Sequence, residues 1–179
     1  PGVTIDIGII IQGDNTDVSF NTFIVLSGTV TEAVEHYDVG VTGVTITDNL
    51  IDVRGGTLSV GIRRHPSSST EARNVVYGAV LPYTNQGSGA ISPDATSSVV
   101  NPQLSGKNEP LSTSPALTGG GTIGTAFTDI RKRASGTTPR RGAMQATDTS
   151  GHGTGWFGFV LTGDASGADG LKLYHKPVG

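Results

Sequence analysis

The chain has 179 residues, a formal charge of −3, 35 % apolar residues and only 15 % charged ones. With 27 Gly, 23 Thr and 16 Ser against 4 Lys and 4 Glu, it lacks the composition of a coiled coil or helical bundle. The absence of Cys excludes a disulfide scaffold and a thiolate metal site, and the longest apolar run, the seven residues Val75 to Leu81, is too short for a transmembrane helix.

Strand signals dominate the first eighty residues. Val3, Ile5, Ile7, Ile9 and Ile11 alternate with Thr4, Asp6, Gly8 and Ile10, the period of two expected of a half-buried strand. Gly13-Asp14-Asn15 reads as a turn. The stretch from Val18 to Ser27 is β-branched and aromatic until Gly28 interrupts it. The alternation slips phase at Gly43, between Val39 and Val41 on one side and Val44 and Ile46 on the other, and Asp48-Asn49 makes another turn. Gly55-Gly56 predicts a hairpin joining 50–54 to 57–64, and Val75 to Leu81 reads as a central strand.

Residues 82–122 differ. They are rich in Pro, Gly, Ser, Thr and Asn, with isolated apolar residues at Ile91, Val99, Val100, Leu104, Leu111 and Leu117. A structureless loop of this length is uncommon inside a compact domain. The stretch is therefore read as an extended arm within a single domain spanning 1–179, with those apolar residues as anchors that dock on a neighbouring subunit. Thr125 to Ala134 can be written as a short helix, and Thr122 to Arg131 equally as a strand. The pattern returns to β at Trp156–Leu161 and at Leu171–His175. No internal repeat is read. With turn signals at short intervals, the expected fold is all-β: an antiparallel β-sandwich or jelly-roll-like barrel carrying a long arm.

Charge is unevenly placed. Residues 1–53 hold eight acids and no Lys or Arg, whereas 54–179 hold twelve bases and seven acids, a split of −8 and +5. Arg131, Lys132, Arg133, Arg140 and Arg141 form the densest basic stretch, with no interleaved aromatic to suggest nucleic-acid binding. Complementary charged faces that favour assembly are one reading of the split, and a surface that averages out is the other.

Catalytic motifs are weak. Gly119 to Gly124 matches G-x-G-x-x-G, but no strand leads into it and no acidic residue follows at about twenty residues. Gly151 to Gly155 resembles the histidine segment of subtilisin-like proteases without the nucleophile segment that chemistry needs. The four histidines have no ligand-like spacing, and the Asp14–Asp17 and Asp164–Asp169 groups read as turn residues rather than calcium loops. Trp156, beside Phe157 and Phe159, is the densest aromatic position and a candidate contact residue.

In whole-chain character the sequence resembles small all-β bacteriophage virion proteins, above all capsid decoration or cement proteins. The resemblance rests on the Cys-free, Ser/Thr/Gly-rich β pattern, the low charge, the Pro1 start with no signal peptide after it, and the arm. It implies a non-enzymatic, cofactor-free protein of the virion that forms homo-oligomers, trimers first, and clamps a major capsid protein. A tail or head-fibre component binding a host glycan, a tail-tube subunit and a carbohydrate-binding module are the alternatives. The interface residues expected are the six arm anchors, the five basic residues and Trp156.

Overall fold

The computed structural model describes residues 4–38, 40–65, 68–87, 89–106, 108–121 and 139–142, and the backbone of 159–160 and 172–173. The strands in chain order are β1 (Thr4–Ile11), β2 (Asp17–Ser19), β3 (Thr22–Val25), β4 (Thr29–His36), β5 (Val44–Thr47), β6 (Leu50–Val53), β7 (Thr57–Arg64), β8 (Ser69–Ala72), β9 (Val75–Tyr77), β10 (Leu81–Asn85), β11 (Phe159–Val160) and β12 (Lys172–Leu173), with one 3-10 turn at Pro115–Leu117. They form three sheets, ordered β1-β4-β7-β10, β2-β5-β8 and β12-β11-β3-β6-β9. Every pairing between strands of successive coils is parallel.

This is a β-solenoid of about three coils. Each coil visits the three sheets in turn, which we term A, B and C, and the next coil stacks on it. The antiparallel sandwich or jelly-roll barrel expected from the sequence is therefore wrong. The period-two signal located the strands but carries no information on the direction of the partner. The expected hairpin shows how the error arises. Its two arms are β6 and β7, but Gly56 (φ +111°) turns the chain from sheet C into sheet A rather than back on itself. Gly28 (φ +74°) makes the same corner one coil earlier.

The expectation of no internal repeat also fails. Stacked residues are separated by 21 to 28 positions, as in Ile5↔Val30, Val30↔Leu58 and Val60↔Leu81. The spacing changes between coils because the corners differ in length, and this hides the period from a fixed-interval comparison.

The core is the inside of the tube. Val30 and Leu58 stack in sheet A, Val18 and Ile46 in sheet B, and Ile51 and Val76 in sheet C, all within one buried cluster. Across the narrow section, small residues face large ones. Gly8, Ala33 and Gly61 share a row of sheet A. A Cβ on Gly8 would run into the Phe23 ring, and one on Gly61 would lie 2.6 Å from Val76 Cγ1. Sheets A and C thus approach closely only because that row lacks bulk. The abundance of threonine has a similar origin: Thr4, Thr29 and Thr57 stack in register at the start of sheet A, where β-branched hydroxyl residues suit an exposed strand.

Candidate functional site

Three groupings of polar or apolar residues stand out. The first is the corner between sheets B and C. Phe20, Asp48 and Arg73 all take positive φ (57°, 58° and 57°), and each is followed by an asparagine, Asn21, Asn49 or Asn74. The asparagines form a ladder. Asn49 Oδ1 accepts the backbone N–H of Asn21 at 3.0 Å, and Asn74 Oδ1 accepts that of Asn49 at 2.9 Å. Asn49 Nδ2 donates to the Val18 carbonyl at 2.7 Å, and Asn74 Nδ2 to the Ile46 carbonyl at 2.8 Å. The ladder satisfies backbone groups that a buried sharp corner would otherwise orphan. Ser97 continues it by accepting the Asn74 N–H at 2.9 Å. Beside it, buried Asp48 accepts from Arg73 Nη2 at 2.8 Å and from Gly121 N at 2.9 Å. The hydrogen bond to Asp48 raises the Arg73 pKa, while burial lowers that of Arg141, whose guanidinium reaches the Thr96 carbonyl at 3.0 Å.

The second grouping lies toward the end of sheet A. Arg63 donates through Nε to Glu32 Oε2 at 2.8 Å and lies 3.7 Å from Glu35 Oε1. Burial, then the neighbouring Glu32 charge, pushes the Glu35 carboxyl above its ordinary range, and Arg63 opposes them. His36 is fully buried, edge-on to His65 with ring centroids 5.7 Å apart. Burial and the second imidazole lower its pKa, and neither ring nitrogen makes a hydrogen bond of good geometry. Two carboxyl groups, a guanidinium and two imidazoles thus lie close together at this end of sheet A. Glu32 and Glu35 are only 5 % and 6 % exposed and are tied to Arg63, so the arrangement works as an internal ion-pair cluster. Among the described residues no three His, Asp or Glu side chains converge as metal ligands. Asp14 is occupied by the Thr42 N–H (2.7 Å) and hydroxyl, and Asp17 by Ser19.

The third grouping is the first coil's open edge. β1 pairs with β4 on one side and has no partner on the other among the described residues. It is eight residues long, Ile5, Ile7 and Ile9 are half-buried, and Ile10 is 45 % exposed. Asp6, Asp14 and Asp17 of the same coil are exposed. An unpaired strand of this length presents a row of free N–H and C=O groups that can template another strand.

The residues singled out in the sequence fall into separate places. Ile91 packs against the core and donates its N–H to the Tyr83 carbonyl at 3.0 Å. Val99, Val100 and Leu111 are exposed, Leu104 bridges Pro110, and Leu117 closes the 3-10 turn, half-buried. Between 90 and 98 the expected arm lies on its own solenoid: Ser98 pairs in parallel with Val75 and extends sheet C by one more strand position. Arg54 of the second coil holds the Ser105 carbonyl at 3.1 Å and Asn108 Oδ1 at 3.0 Å. Arg141 belongs to the B–C corner, and Arg140 stands next to it in sequence. Arg131, Lys132, Arg133 and Trp156 lie outside the described residues.

Sequence reading missed Asn49, Asn74, Glu71 and the β1 edge. For the ladder the signal was an asparagine immediately before each of Thr22-Phe23, Leu50-Ile51 and Val75-Val76, at spacings of 28 and 25. Glu71 gave none. It follows Val18 and Ile46 in the apolar column of sheet B, where a buried carboxylate is unexpected. Its oxygens take Asn74 Nδ2 at 2.8 Å, the Asp94 N–H at 3.0 Å and the Ser97 hydroxyl. It therefore ends the core and fastens 94–97 over it. No family model, no curated protein and no solved structure matches this chain.

Proposed function

We propose that the protein is a non-enzymatic structural protein that assembles by adding a strand to the open edge of β1, with a second copy of itself as the first occupant. The observation that carries this reading is the eight-residue strand β1, which has no partner on one edge among the described residues, with its half-buried isoleucines and exposed Ile10. Edge strands this long and this apolar are normally blunted or covered. Strand addition supplies main-chain hydrogen bonds and leaves specificity to alternate side chains.

The uneven charge supports edge pairing over complementary charged faces. The second coil's Glu32, Asp48 and Asp52 are already bound by Arg63, Arg73 and Arg54 within the chain. Three of the eight acids of residues 1–53 are thus paired with arginines of the chain, two of them across neighbouring coils. Assembly on this reading is insensitive to salt, because backbone hydrogen bonds and isoleucine contacts carry it.

A virion is the setting suggested by the low charge, the hydroxyl-rich surface and the absence of Cys. Within it, a solenoid favours a fibre component over a cement protein, since stacked coils build length along one axis and offer flat sheet faces for contact. The test is the absolute mass in solution by light scattering, at low and high salt, for the parent chain and for Ile10→Lys and Ile7→Lys. An oligomer in the parent at both salts, reduced to monomer by either substitution, supports the reading. A parent monomer at all salts, or an oligomer that both substitutions leave intact, overturns it.

A further inference from the structure

A solenoid must be capped at both ends, because each terminal coil exposes apolar interior and free strand edges. The two ends of this one are treated differently. At the C-terminal end, 90–98 crosses the last coil and is fixed by Glu71, Ser97 and Ser98. At the other end, among the described residues, sheet A stops at β1 and sheet B at β2, but sheet C continues past β3 to β11 and β12. In the first coil Ile24 and Val25 of β3 are 8 % and 0 % exposed, whereas Ile5, Ile7 and Ile9 of β1 are only half-buried; Ile11 of β1 and Val18 of β2, at 2 % and 7 %, are covered as well.

We infer that the C-terminal strand pair β11–β12 is the cap of the first coil on sheet C, and that each chain supplies its own. β11 adds in parallel, with Val160 opposite Ile24, so it occupies the place of a further coil. β12 then pairs antiparallel to β11, with Phe159 opposite Leu173 and Val160 opposite Lys172, and this ends the parallel stack. The outermost strand is two residues long and carries Lys172. A very short edge with a lysine on it is a standard means of discouraging further strand addition. The cap covers the first coil on sheet C, and the β1 edge has no partner among the described residues, so this inference stands whether or not that edge assembles.

The covalent path fits a cap supplied by the same chain. Gly142 N donates to the Asp48 carbonyl at 2.7 Å, which ties Gly142 to the second coil, and Arg141 N donates to the Ala116 carbonyl of the 3-10 turn at 3.0 Å. Neighbouring coils are about 4.8 Å apart. A chain of the eighteen residues from Gly142 to Val160 can span up to about 60 Å, far more than the spacing of two coils. A tether of this length raises the effective concentration of the cap to about the millimolar range, far above that of free chains at micromolar protein.

The test uses the full chain, whose lack of Cys makes an introduced pair the only thiols. Ile24→Cys with Val160→Cys is treated at micromolar protein with dibromobimane, which bridges two nearby thiols. The expected product is a fluorescent, internally bridged chain of monomer mass. Bridging between two chains overturns supply by the same chain, and the absence of bridging overturns the pairing itself. Val160→Pro gives a second readout by amide hydrogen exchange. Faster exchange in 22–25 with unchanged exchange in 75–77 is expected, and unchanged exchange in 22–25 contradicts the cap.

Discussion

Asn49→Ala tests the asparagine ladder where it is most enclosed. The side chain is 1 % exposed and serves both neighbouring coils. Truncation leaves the Asn21 N–H, held at 3.0 Å, without its acceptor and the Val18 carbonyl, held at 2.7 Å, without this donor. Asn74 Oδ1 keeps the Asn49 backbone N–H at 2.9 Å, so it is not orphaned. Two stranded backbone groups at about 1–3 kcal/mol each give an expected loss of about 2–6 kcal/mol. Asn21→Ala is the control. Asn21 is the exposed end of the ladder, and its side chain only donates, to the Ser19 carbonyl and Asn49 Oδ1. Its loss leaves the Asn21 N–H on Asn49 Oδ1 and is expected to cost under about 1 kcal/mol. Urea unfolding followed by far-UV circular dichroism reads both. With m about 2 kcal/mol/M, the Asn49→Ala midpoint falls by about 1 M or more, and the Asn21→Ala midpoint by under about 0.5 M. Equal midpoints for the two variants refute the view that the ladder satisfies the corner.

Other expectations follow from single contacts. Glu35 has a raised pKa in the fold, so the folded state holds its proton more tightly than the unfolded chain does. Stability therefore falls as pH rises from the ordinary carboxylate range into the raised range of Glu35; Glu35→Gln flattens that fall in thermal melts taken across the window, and an unchanged slope contradicts the assignment. Glu71→Val continues the apolar column of Val18 and Ile46 but removes the acceptor of the Asp94 N–H and Asn74 Nδ2. Limited proteolysis then cuts within 90–100 while the coils stay resistant; cutting no faster than in the parent rejects Glu71 as the fastening. Gly8→Ala places a methyl against the Phe23 ring and lowers stability by about 1–3 kcal/mol, and Phe23→Leu in the same chain recovers part of it; no recovery means that the two sheets do not meet there.

Much of the strand content was legible because alternation is local. β1, β6 and β7 stand within a residue or so of where the isoleucine alternation and the 50–54 and 57–64 arms placed them. The architecture was not legible, because parallel and antiparallel strands share the same period of two and differ only in how the chain travels between them. Gly55-Gly56 looks the same whether it reverses a strand or turns a corner. The decisive cue was the asparagine before β3, β6 and β9, in Asn21, Asn49 and Asn74, and it becomes visible only once the unequal corners are allowed for. The arm anchors illustrate a second limit. Ile91 and Val99 look alike as isolated apolar residues, yet one packs on the core and the other is 49 % exposed, because what covers each depends on distant coils. Glu71 could not be foreseen at all: its partners Asp94 and Ser97 lie more than twenty residues away.

The central claim is that successive strands stack in parallel rather than folding back on one another. Nuclear Overhauser contacts from backbone amides test it directly. The account predicts that Val30 contacts both Ile5 and Leu58, and that Leu50 contacts both Thr22 and Val75. Close contacts running antiparallel between 50–53 and 57–60 across Gly55-Gly56 would establish a hairpin there and contradict the solenoid.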